Sequence, residues 1–208
     1  MDTFIIGEAA EQPETRGRKR VPTPPPIANP LPLPYNVVMV RLDQVLDSWK
    51  TVRADTINAV NDFPAGEFDF RLTPELMTFG EVARHILDAS DGLTGLLLAG
   101  EENFAAPDFR EKLKPHLRAV DPGPAGLAAA MRDSIEERTA QLAARPAGFY
   151  SRIIAGRGGQ SLTRLEMLQF VKEHELTHRA QLFLYMRVKG LVPATTRRRM
   201  AKQATSQK

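Results

Sequence analysis

A chain of 208 residues, 42% hydrophobic and 25% charged, has the size and balance of a globular domain with its own core. It contains no cysteine, which excludes a disulfide framework, a zinc–thiolate site and any chemistry needing a thiol of its own. The net charge of +3 is uneven: residues 1–34 are balanced, residues 35–178 carry −5 and residues 179–208 carry +8 with no acid at all. Residues 1–34 combine the cluster Arg16-Gly17-Arg18-Lys19-Arg20 with seven prolines from Pro22 to Pro34, and are expected to form a disordered, extended arm. The N-terminus has no long apolar core, and the longest apolar run, around Leu96-Leu97-Leu98-Ala99, is too short to cross a bilayer. A cytoplasmic protein without a membrane segment is the expectation.

Four helices are predicted in order. The first spans about Asn36 to Asp62, with Val38, Leu42, Val45, Trp49, Val52, Thr56 and Val60 on one face, and stops at Phe63-Pro64. The second runs from Phe79 to Ala99 behind a capping box of Thr78 and Glu81; Val82, His85, Ile86, Ala89, Leu93 and Leu96 face inward, and Gly100 ends it. A proline-rich loop leads to a third helix, roughly Pro124 to Ala144, with Leu127, Met131, Ile135 and Leu142 inward. Residues 149–159 are irregular or briefly extended, and their glycines match no phosphate-binding pattern. The fourth helix starts at a second capping box, Thr163 and Glu166, and reaches Lys189 before Gly190 and Pro193. It is apolar on two sides: Met167, Phe170, Val171 and Tyr185 with the histidines, Leu165, Leu176 and Phe183 on the reverse, which implies a core on one side and a subunit interface on the other. The expected organisation is an arm (1–34), an all-α four-helix bundle (35–193) and a solvated basic tail (194–208); nucleic-acid binding by that tail is the less favoured reading.

Within the fourth helix stands His174-Glu175-Leu176-Thr177-His178. Residues four apart lie on one helix face, so His174 and His178 can grip one ion. The five residues match the zinc-protease pattern, but a catalytic site of that kind needs a third ligand. Residues 179–208 contain no His, Asp, Glu or Cys, so that ligand comes from upstream. His85, on the inward face of the second helix, is the candidate, against the plainer reading of three independent core histidines. Burying three imidazoles together without a cation would be costly, so a shared divalent metal is expected, zinc first, then nickel or iron. His116 is read as a surface residue. Asp88 is a candidate to orient His85, and Gln181 and Tyr185 to line the ligand pocket. Glu175, about 100° around the helix from His174, is a candidate general base or a solvent-facing residue.

The run from His174 to Leu182, followed by Arg187, Gly190 and Pro193, together with Thr78-x-x-Glu81-x-x-x-His85, resembles the DinB/YfiT-like superfamily of metal-binding four-helix proteins. The resemblance covers about residues 36–193. It implies that His85, His174 and His178 hold a divalent metal, that a long crossover joins helices two and three, and that the protein is a homodimer. It also implies thiol-dependent transferase or isomerase chemistry with a low-molecular-weight thiol, or hydrolysis. Ala180 stands where members commonly carry Gly, and Ala194 follows Pro193 in place of a second proline. A metal-dependent enzyme activating a thiol or water is the leading expectation. A non-catalytic metal- or ligand-binding module of a stress response is the alternative.

Overall fold

The computed structural model describes residues 40–206; the proline-rich arm and the expected first turn of helix one lie outside them. Helix α1 spans Leu42–Asp62, α2 Phe79–Ala99, α4 Gly123–Ala143 and α6 Arg164–Val188, with short helices α3 (Phe109–Leu113) and α5 (Ala147–Tyr150) between them. Both α1 and α2 pack against both α4 and α6, which makes a closed bundle of four. Its centre holds Trp49, Val60, Phe79, Leu87, Met131, Leu142, Leu168 and Leu182, all withdrawn from solvent.

The boundaries follow local chemistry. Helix α1 begins later than its apolar period suggests, because Arg41 is extended and turns its guanidinium onto Asp43, whose carboxylate suits the positive end of the helix. Helices α2 and α6 open with the expected capping boxes: in each, the threonine hydroxyl accepts from the amide of Glu81 or Glu166, and that glutamate accepts from the threonine amide. Such caps stabilise a helix by ~1 kcal/mol. Gly100 closes α2 with φ 88°, a left-handed conformation that a β-carbon would strain.

Residues between α1 and α2 fold into an aromatic floor, where the ring of Phe63 stacks on Phe79 at 3.7 Å. The connection from α2 to α4 is the long crossover, and it lies close on α2. Gly95 leaves the room: a β-carbon there would meet His116 Cγ at 2.5 Å. His116 is therefore packed on a helix backbone and is not an ordinary surface residue. Asp91 secures the same segment, accepting from Ser134 Oγ (2.9 Å), Arg138 Nε (3.0 Å) and Arg118 Nε (3.1 Å).

Two further elements lie outside the four helices. The segment after α5 is a hairpin of β1 (Ile153–Ala155) and β2 (Ser161–Thr163), antiparallel with Ile154 opposite Leu162. Three-residue strands are too short to show a period of two. The expected basic tail is helical over residues 194–206 and exposed from Arg197 onward. It forms helix α7 (Ala194–Ser206), which lies on α1 through Arg198 to Asp55 (2.7 Å) and Arg197 to Asp62 (2.8 Å). The acids of α1 discharge part of its excess charge. No helix among the described residues is long and apolar enough to cross a membrane.

Candidate metal centre

Helices α2 and α6 pack with His85 facing His174 and His178. The Nε2 atoms of His85 and His178 each lie 3.2 Å from Nε2 of His174. The three rings meet edge to face, with centroids 4.4–5.0 Å apart. Three nitrogens bound to one tetrahedral zinc at about 2.0–2.1 Å would be separated by about 3.3 Å, which both of these distances match. All three residues are half-buried.

Protonation state agrees with that use. Burial, and then the neighbouring His178, push the His85 imidazole down to about 4. Burial, then His178 and His85, lower His174 to about 4 as well. At neutral pH both rings are uncharged and keep a lone pair for a cation. Gln181 does for His178 what a buried carbonyl does in many metal sites: its Oε1 lies 2.8 Å from Nδ1 and can only accept, so the proton sits on Nδ1 and Nε2 faces the triad.

The other expected residues have different partners. Asp88 accepts from Arg84 Nε with both oxygens, at 2.8 and 2.9 Å, one turn away on its own helix. Tyr185 donates its hydroxyl to Met77 O at 2.7 Å and fixes the approach to α2, with its ring against Phe70. Phe170 is the apolar neighbour of the triad, 6.1 Å from the His174 ring and half exposed.

Glu175 overturns both expectations for it. It faces neither solvent nor the histidines but is turned into the bundle at 1% exposure. There it accepts from Trp49 Nε1, from Nε and Nη2 of Arg53, and from Thr56 Oγ1, each at 2.8 Å. A carboxylate so saturated is not a general base for the metal site. Arg53, fully buried, also donates to Ser90 Oγ on α2 (2.8 Å) and to Met131 O on α4 (3.4 Å). Sequence reasoning missed Arg53. Its signal was a charged residue between Trp49 and Thr56, on the stripe that the apolar period assigns to the core.

Comparison with known proteins bears on this architecture. Among proteins of curated function, none matches the chain. Solved structures that share its fold include the following three. A DinB-like protein from Bacillus subtilis, YjoA, is 20% identical, with TM-score 0.55 over 71% of this chain and 92% of that one. YfiT from Bacillus subtilis, described as a probable metal-dependent hydrolase with an unusual four-helix bundle topology, is 20% identical, with TM-score 0.58 over 76% of this chain and 93% of its own. A mycothiol-dependent maleylpyruvate isomerase is 15% identical, with TM-score 0.52 over 69% of this chain and 61% of that one. The model of the DinB family matches residues 38–208, and with them the bundle, the histidine triad and the C-terminal helix: the chain belongs to the DinB family.

Proposed function

We propose that this protein binds a divalent metal through His85, His174 and His178 and uses it as an enzyme of the thiol S-transferase or hydrolase type. The observation that carries the reading is the convergence of three half-buried imidazole nitrogens at the spacing of a metal's donors. Three nitrogen ligands suit zinc, and also nickel or iron, and leave a position open. A bound divalent ion would supply Lewis acidity there, lowering the pKa of a thiol or water that reaches it. The chain's own residues do the rest. His85 and His174 stay neutral, Gln181 orients His178, and Phe170 offers an apolar surface beside His174.

The thiol arrives as a small cosubstrate, since the chain has no cysteine. The mycothiol dependence of the structurally similar isomerase supports that branch, and the description of YfiT supports the hydrolytic one. The location of Glu175 favours chemistry that needs no carboxylate at the metal, as a thiol that ionises on binding does not. The same location supports the second reading, a metal- or ligand-binding module without turnover. We read the protein as a cytoplasmic homodimer; Leu184 and Val188, half exposed on α6, support an interface.

Elemental mass spectrometry on untagged protein tests the first step. About one transition metal per chain is expected, lost in His85→Ala and His174→Ala variants. Wild-type protein that takes up no metal after reconstitution would reduce the triad to core histidines. With metal established, turnover of a thiol and an electrophile separates the enzyme from the binding module.

A further inference from the structure

We propose that Arg53 and Glu175 are positioning residues for the histidine triad: one buried ion pair sets the rotation of α6 and its register against α2, and thereby the spacing of the ligands. The inference rests on the metal-binding reading above and adds residues to it that touch neither metal nor substrate.

The placement of the pair carries the proposal. Glu175 adjoins His174 in sequence, so a rotation of α6 that breaks the carboxylate's bonds swings His174 and His178 by the same angle. Four hydrogen bonds from three α1 side chains oppose that rotation. Arg53 extends the restraint to Ser90, five residues after His85 on α2, and to the Met131 carbonyl on α4. A single guanidinium thus bonds to all three other bundle helices, including both that carry histidines. Apolar contacts alone tolerate small slides and rotations, whereas a bidentate charged pair does not. Burying such a pair is weak evidence for stability, because well-packed apolar residues often do as well or better; fixing a register is the best-attested use. A donor set whose nitrogens must stay near 3.2 Å is a place where register has a consequence.

The test separates register from stability. In an Arg53→Met, Glu175→Gln double variant both charges are gone, while the glutamine oxygen still accepts from Trp49 and its amide can donate to Thr56. Wild type, this variant, Ser90→Ala and Asp91→Asn are compared in metal affinity by chelator competition, in the visible spectrum of the cobalt-loaded form, and in metal-free melting. Asp91 belongs to a separate buried carboxylate cluster, whose partners Arg118, Ser134 and Arg138 lie outside α6.

The double variant is expected to melt close to wild type yet bind metal at least about tenfold more weakly, with an altered cobalt spectrum, the loss typical of disturbing a metal's outer support. Ser90→Ala is expected to show a smaller loss in the same direction, and Asp91→Asn none. Wild-type affinity and spectrum in the double variant would overturn the proposal, as would an equal loss in Asp91→Asn. If the double variant does not fold, Ser90→Ala decides by the same criterion. Wild-type protein that binds no metal refutes the metal reading itself, a result distinct from metal bound equally well by every variant.

Discussion

Helix α6 meets two polar clusters about 100° apart on its circumference, and they are built on opposite principles. Around Glu175 the groups are complementary: a carboxylate, a guanidinium, an indole N–H and a hydroxyl satisfy one another inside the core. Around His174 the groups are alike: three imidazoles, two of them held neutral, bring the same atom to one point. The first cluster is complete with protein alone. The second gathers electron pairs that only a cation satisfies together. Adjacent residues in one sequence thus serve unrelated ends, and the pattern His-Glu-x-x-His does not distinguish them.

Acidification tests the second cluster most severely. Because burial lowers His85 and His174 to about 4, against 6.5 for an ordinary imidazole, the metal should survive mild acid and be fully released as pH falls through about 4. In the metal-free protein the unfolded chain binds more protons than the folded one inside that window. Stability is therefore intact above about 6.5 and is lost as pH falls towards about 4. Metal content and urea midpoints across a pH series follow both; release complete by pH 6 would contradict the first.

Breaking the other cluster on one side comes next in size. Glu175→Ala leaves Arg53 buried without its anion and should lower unfolding free energy by roughly 3–5 kcal/mol. A midpoint within experimental error of wild type would show that the guanidinium escapes to water. The smallest effect belongs to the edge of the triad. Gln181→Leu removes the acceptor for His178 Nδ1 and should weaken metal binding about tenfold, without a change in metal-free melting.

The parts that were legible in the sequence are those where a local rule acts alone. Thr78 with Glu81 and Thr163 with Glu166 announced the starts of α2 and α6, Gly100 the end of α2, and helical spacing put His174 and His178 together. What escaped was set by tertiary partners. Glu175 reads as solvent-facing or catalytic until Arg53, more than a hundred residues earlier, is known to lie opposite. The partners of Asp88 and Tyr185, Arg84 and the Met77 carbonyl, were likewise not announced by their helix faces. Helix α7 looked like a tail because its basic residues have no acids nearby in sequence; Asp55 and Asp62 stand across the fold.

All three histidines come from α2 and α6, and α1 and α4 contribute none. Those two helices are also the ones whose first turns are sealed by side chains; α1 and α4 open on Arg41 and Pro122 with no side-chain cap. A chain that has docked only this pair already holds the complete donor set. The donor set thus depends on a single helix–helix contact between segments far apart in sequence, and α1, through Arg53, braces that contact from the side.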